Sequence, residues 1–467
     1  MTKTLLNSVL LFFYCINNVY STDLPEIDVL LKKMNYQDGT ISYHVKSRET
    51  IHQFGHYSKP EEYKILLFDT ETRYSEGKIF SKVIYEYNGN NFYQYSYTHQ
   101  QKKIVKKFGS VDVKASSLED QLVYFSNIYL FLKAIDRNQC CINKKGKDIF
   151  SFISNGIEYF FHINKENLVD EIFYYYYDNV YGDSKKSISF SDYRKVKNQL
   201  LPFQLEYREN ELLLRVSEVE HYSYSDRLEN EVLTQLEIKI QNDFVFNQIT
   251  EDFWQIELPA FNVKTYLYKN YDKLLLFEAP VELSINRKLI RAIKTKFELP
   301  IEACFISHHH PDHAGGVLAY VEDDIPIVTT SKNVEYFKKL AKNKHSIGLE
   351  KPFIPNGSYD QYLIVKEGKI QQLFGIKCQE IGAKTSHTEE FLIFYLEEEK
   401  SVIVADLILF PEEKNLTIGK RGIGLYEAIL ASKVVVEKIY TNWPLTGQQK
   451  FGDYSAFEKA VKQKIEN

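Results

Sequence analysis

The chain has 467 residues, 44% hydrophobic and 26% charged, ordinary values for folded protein and enough length for two or three domains. A formal net charge of −5 excludes a general electrostatic attraction to nucleic acid or anionic lipid. Five cysteines, two of them adjacent (Cys140 and Cys141), exclude a disulfide framework.

The N-terminus is predicted to be an export signal, residues 1–21. Lys3 supplies the positive start, residues 5–16 form a short apolar core, and Val19 and Ser21 are small enough for cleavage after Ser21. The apolar run is too short to span a membrane comfortably, so no integral span is expected after signal removal. The expected location is outside the cytoplasm, periplasmic or secreted.

Residues 22–245 are rich in Tyr and Phe, and turn signals at Asp38-Gly39, Asn88-Gly89 and Asn155-Gly156 separate short alternating runs. The last of these predicts a hairpin, with strands over 148–154 and 157–163. Further strands are predicted near 171–177, 187–193, 203–207 and 211–216, and one helix over 118–134. The sum is a curved antiparallel sheet. The aromatic run 173–177 suits strand and core packing better than a ligand-stacking platform. The lysine pairs within 101–107 suit a solvated strand face better than a phosphate site. Residues 190–203 are similar to the repeating-strand domains of periplasmic lipoprotein carriers.

Residues 246–467 change character. Strands are predicted over 254–258, 263–268 and 274–280, the last closing on Glu278, followed by a helix over 285–297. An apolar run, 301–306, then leads into Ser307-His308-His309-His310-Pro311-Asp312-His313-Ala314-Gly315-Gly316. Imidazole and carboxylate are ligands for zinc, and a carboxylate beside the site can also move protons. If the backbone is extended through His308 and His310, the two rings point the same way and can grip one ion. The glycine pair lets the chain turn tightly into a helix at 317–321. Alternating strands and helices argue a layered α/β sandwich with its site at strand ends.

These residues resemble the metallo-β-lactamase superfamily, whose signature is His-x-His-x-Asp-His at a strand end. One register fits: His308, His310, Asp312 and His313. Ser386-His387-Thr388 resembles the stretch supplying the third histidine, and Asp406, after residues 402–405, resembles the metal-bridging aspartate. The resemblance covers roughly the last 220 residues and implies an αββα sandwich behind the N-terminal sheet, a mixed α+β and α/β fold class. It also implies a first metal site of His308, His310 and His387 and a second of Asp312, His313 and Asp406.

One departure stands out. The family's last ligand histidine falls in a turn near the C-terminus, where this chain reads Trp443-Pro444-Leu445-Thr446-Gly447-Gln448, and no histidine follows His387. By this resemblance Thr446 takes the ligand position and Gln448 lies close by, neither a strong zinc ligand. One tightly held Zn2+ is expected, with the second site short of a protein ligand. No cysteine lies between His387 and Asp406, against a subclass that uses one.

The resemblance implies a zinc-dependent hydrolase. A zinc-bound water has a pKa near 7, so hydroxide is available to attack an ester, thioester, lactone, amide or phosphoester in a small-molecule substrate. Asp312 takes the catalytic role of orienting that nucleophile or shuttling its proton. Two alternatives use the same residues: an iron-dependent persulfide dioxygenase-like oxidoreductase, and a non-catalytic protein that retains metal. His345 is read as a surface residue of the loop 342–362, and Glu278 as structural rather than a ligand.

Overall fold

The structure is a computed structural model describing residues 24–36, 42–54, 59–60, 62–75, 78–87, 90–99, 102–107, 110–115, 118–225, 244–353, 361–412 and 416–466. The predicted export signal and the turn signals at 38–39 and 88–89 lie outside the described residues. Among those residues, no helix is long and apolar enough to cross a membrane. Two compact units divide the chain. One draws on Met1–Gln53, Lys64–Tyr176 and Ser184–Ile238, the other on Phe54–Tyr63, Tyr177–Asp183 and Lys239–Asn467.

The first unit is a thirteen-stranded antiparallel sheet. Its first strand, Ser42–Phe54, pairs with its last, Leu212–Ser225, and the remaining strands run outward from that pair in chain order on one side and in reverse chain order on the other. The predicted hairpin is Ile149–Ser154 against Ile157–Ile163. Asn155 and Gly156 both take positive φ, +52° and +79°, the conformation a two-residue turn matched to strand twist requires.

The helix expected over 118–134 is two helices, Leu118–Phe125 and Ile128–Arg137. Asn127 leaves the helical region, and its side-chain oxygen accepts from the amides of Tyr129 and Leu130, capping the second helix. Apolar periodicity alone runs through that break. Phe131 then sits in the core against Phe161, their ring centroids 5.4 Å apart. Within the aromatic run Phe173 and Tyr174 are both buried, whereas Tyr175 is half exposed.

One buried charge is built into this sheet. Glu49 accepts hydrogen bonds from Ser47 (2.6 Å), Thr70 (2.9 Å), Ser217 (3.0 Å) and the Arg215 Nε (2.6 Å). Burial alone would raise its pKa, but the charge of Arg215 and these hydrogen bonds outweigh burial and hold it below the usual 4.5. A lowered folded-state pKa contributes stability that is complete above the unfolded value and lost as pH falls through the folded one. We predict that the sheet loses stability on acidification below pH 4.5, and that Glu49→Gln costs about 1–3 kcal/mol at neutral pH and flattens that acid limb. Urea unfolding across pH measures both; an unchanged acid limb would remove Glu49 from the account.

The second unit is an αββα sandwich. Seven strands, from Val245–Thr250 to Tyr362–Val365, neighbour one another in chain order in one sheet, and six, from Ile370–Leu373 to Gly452–Asp453, do so in the other. Strand periodicity sorts side chains between layers. Along Lys273–Phe277, Leu275 and Phe277 face the opposing sheet while Leu274 and Leu276 face a helical layer. Along Leu392–Leu396, Phe394 faces the first sheet, 5.6 Å from both Phe277 and Phe305, and Ile393 and Tyr395 face the helices Lys420–Ser432 and Tyr454–Glu466. The helix Leu283–Phe297 covers the other outer face with Leu289, Ile290 and Ile293.

Candidate metal centre

The strand Ile301–Phe305 ends just before the histidine run, and Lys273–Phe277 ends beside it on Glu278. His310 leads into a short helix, Pro311–Ala314, with proline at its first position, where the missing amide hydrogen costs nothing. The amides of His313 and Ala314 donate to the His310 carbonyl, which turns His313 back toward His308. Residues 279–281 are knitted to this loop: the Ala279 amide donates to the His313 carbonyl, Val281 to Pro311, and Gly316 to Ala279.

The glycine pair is required by close approach. A Cβ on Gly315 would lie 2.2 Å from the Val281 carbonyl oxygen, and one on Gly316 would lie 1.7 Å from Asn286 Nδ2. Asn286 is itself pinned, donating to the carbonyls of Pro280 and Glu282 and accepting from Tyr320.

The other two contributors come from the second sheet. His387 follows the short helix Gly382–Thr385 through Ser386 at φ +50°, and Asp406 follows the strand Ser401–Ile403 through Ala405, also at φ +50°. The four groups converge: one ligand atom each from His308, His310, His387 and Asp406 lie within 4.8 Å of one another. His308 Nε2 is 3.0 Å from His310 Nδ1 and 3.2 Å from His387 Nε2, and Asp406 Oδ2 is 3.1 Å from His387 Nε2. Asp406 Oδ1 reaches the other way, 3.8 Å from His308 Nε2 and 3.9 Å from His313 Nε2.

These residues fit a divalent ion. Tetrahedral zinc bonds of about 2.0–2.1 Å put neighbouring donors about 3.3 Å apart, close to the observed spacings. His308 Nδ1 is hydrogen-bonded to Ser307 Oγ at 2.9 Å, which leaves Nε2 for the cluster. Burial, followed by the like charges of His313, His310 and His387, holds the His308 pKa well below its usual value, so the ring is the neutral form a metal needs. Burial would raise the Asp406 pKa, but its hydrogen bond with His387 and the charges of His313, His387 and His310 outweigh that and keep it ionised.

His313 stands beside the four-donor group. Its Nδ1 is 3.8 Å from Glu278 Oε1 and its Nε2 is 3.5 Å from Asp312 Oδ2. Burial would lower its pKa, yet Asp312, Glu278 and Asp406 together push it up to about 10. Glu278, at φ +76°, also accepts from the Ser307 amide and so braces the start of the histidine run.

Thr446 does not face the cluster. It is exposed, and both its amide and its hydroxyl donate to Asn262 Oδ1, at 3.0 and 2.9 Å. Gln448 instead lines the cleft beside Asp406. His345 is buried rather than superficial, its Nε2 3.2 Å from the Leu340 carbonyl and its ring against Phe353. A further ring neighbour, Tyr177 at 5.9 Å, comes from a strand distant in sequence, which the loop itself does not announce.

Sequence reasoning also passed over His309, a variable position of the motif. It is buried, and its Nδ1 donates to Glu390 Oε1 at 2.5 Å, with both side chains shielded from solvent. Beside Glu390, Phe391 stacks on His308 at 4.6 Å and Leu392 donates to the Ser307 carbonyl. The segment 388–392 therefore fixes the histidine run and the His387 loop to each other. An acidic residue three positions after His387 was the only sequence signal.

We predict that Glu390→Ala weakens zinc retention about tenfold while Glu390→Gln, which keeps a hydrogen-bond acceptor, weakens it less. Chelator competition on the folded variants measures this, and equal retention in both would dismiss the brace. Gly316→Ala is predicted to destabilise the second unit by about 1–3 kcal/mol and to release metal, because the intruding methyl must displace Asn286. Thermal unfolding with metal analysis checks it; a wild-type profile would contradict the steric argument.

The family model described as Metallo-beta-lactamase superfamily matches residues 258–465. The chain is similar to a Metallo-beta-lactamase type 2 of Bacillus sp. (strain 170), 24% identical over 181 residues, 36% of this chain. The match spans 62% of that relative's length. Among solved structures, a metallo-β-lactamase from Pontibacter korlensis is 14% identical with a TM-score of 0.35, covering 47% of this chain and 99% of the other. The metallo-β-lactamase FIM-1 from Pseudomonas aeruginosa, in its mono-zinc form, is 14% identical with a TM-score of 0.37, covering 48% of this chain and 99% of the other.

Proposed function

We propose, from the premise that residues 258–465 belong to the metallo-β-lactamase superfamily, that this chain is a zinc-dependent hydrolase of small-molecule esters, thioesters, lactones, amides or phosphoesters. The observation that carries the reading is the convergence of His308, His310, His387 and Asp406, three imidazoles and a carboxylate brought from three separate loops to one point. A divalent ion bound there supplies Lewis-acid polarisation of the scissile group and an acidified water.

The chain's own residues supply the rest. His308, His310 and His387 contribute neutral donors, so the ion keeps most of its positive charge toward substrate. Asp406 lies between these rings and His313, where its second oxygen offsets charge on either side. Asp312 is the partly exposed carboxylate of the group, 23% accessible, at the first turn of its short helix. That exposure suits it to hold a proton from water and pass it to a leaving group.

The reading assigns one tightly held ion. Both ring nitrogens of His313 are buried without a hydrogen-bond partner among the described residues, the nearest oxygens of Glu278 and Asp312 lying 3.8 and 3.5 Å away, but Thr446, which takes the place of the family's last ligand, is engaged by Asn262, so a second site lacks that donor. Residues 1–21 support export, which would put the reaction in the periplasm or outside the cell; fractionation of the expressed chain tests that directly.

The decisive experiment pairs metal content with turnover across ester, thioester, lactone, β-lactam and phosphodiester substrates. We predict one zinc per chain, and an Asp312→Asn variant that keeps its zinc and loses about 10²–10⁴-fold in kcat. Retained zinc with no turnover in wild type would sink the hydrolase reading, and undiminished kcat in the variant would remove Asp312 from the proton-transfer role.

A further inference from the structure

A cleft of about 710 Å³ opens on Asp406, a size typical of sites for small molecules. One side is apolar: Leu409 and Trp443, 41% and 39% exposed, present bare hydrophobic surface to it beside Pro411. The other side carries Lys420 and Arg421, on the first turn of the helix Lys420–Ser432. Neither cation forms an ion pair or side-chain hydrogen bond with any described residue. Apart from Asp406, no carboxylate lines the cleft among the described residues.

Among the described residues neither cation has a partner through which it would stabilise the fold, and both line the same cavity as the apolar wall. We propose that this cleft binds an amphipathic anion, its carboxylate or phosphate held by Lys420 and Arg421 and its apolar body lying on Leu409 and Trp443. The substrate class of the hydrolase proposed above, on which this inference rests for its catalytic meaning, is thereby narrowed to acyl or phosphoryl compounds carrying both an anionic group and a hydrophobic portion. Guanidinium and ammonium together suit either oxyanion, Arg421 by a bidentate fork and Lys420 as a point charge.

The chain reports binding here by itself. Its only tryptophans are Trp254, 9% exposed in the core, and Trp443 in the cleft, so a ligand-induced change in emission comes from Trp443. The test titrates 4-phenylbutyrate, 4-phenylbutyl phosphate and neutral 4-phenylbutyramide into the full chain as purified, with zinc content measured in parallel. At least one anion should bind about tenfold tighter than the amide, a preference that Lys420→Ala/Arg421→Ala removes and that added salt weakens. Comparison of the two anions decides between carboxylate and phosphate. If the double alanine variant unfolds, Lys420→Gln/Arg421→Gln is the substitute. Equal binding of all three probes, or an unchanged preference in the variant, overturns the proposal. Because binding is read without turnover, an inactive chain that still prefers the anion would fail the hydrolase reading and leave the cleft assignment standing.

Discussion

Everything in the second unit depends on bringing imidazole nitrogens together where water cannot solvate them. His308, His310 and His313 are essentially inaccessible and His387 nearly so, and ring nitrogens approach to 3.0–3.2 Å. Two protonated rings at that distance repel strongly in a medium of low polarity, and two neutral rings hydrogen-bond only in the tautomer that points an N–H of one at the lone pair of the other. The cluster responds by dividing the charge. Burial and like-charge repulsion keep His308 neutral, whereas three surrounding carboxylates make His313 the imidazolium. A divalent cation at the centre of the four-donor group would replace these short nitrogen contacts with coordination bonds. That convergence, more than the count of histidines, is what makes the site able to hold a metal.

Holding such an arrangement takes a stiff frame. Glu278, Ser386 and Ala405 each take positive φ without being glycine, and each sits immediately before or beside a cluster residue. Left-handed backbone costs about 1–2 kcal/mol at such positions. The two sheets offset that cost: the strands ending at Phe277, Phe305 and Ile403 meet in one buried inter-sheet core with Phe394. Strain concentrated at strand ends and supported by packed layers is how a rigid scaffold aims side chains that local preference would send elsewhere.

The sequence carried the site better than it carried the architecture around it. Residues such as His308, His310 and Asp312 stand close along the chain, so their shared chemistry is visible in one glance. His387 and Asp406 were placed only through the family resemblance, because nothing local tells a histidine 77 residues downstream that it will return to the same point. Strands with turn residues between them, as at Asn155-Gly156, were legible to within a residue. The break at Asn127 was not, since apolar spacing continues across it and only the cap geometry stops the helix. His309 was invisible for a related reason: its partner Glu390 is 81 residues away, and a variable motif position gives no hint that it is buried and paired.

The departure at the C-terminal turn gains its meaning from what surrounds it. An unpaired threonine near the cluster would be a poor but available donor; Thr446 is tied by two hydrogen bonds to Asn262, so its hydroxyl is already spent on folding the turn. The same stretch contributes Trp443 and Gln448 to the cleft wall. In the proposed reading, the surface that would complete a second metal site is therefore given over to contact with substrate. An ion held on one side by three imidazoles and Asp406, and facing an apolar wall with Lys420 and Arg421 beyond it, would be an asymmetric centre. Its charge would polarise one end of a bound molecule while the cations would fix the other, and orientation rather than a second ion would then bring the scissile group into line.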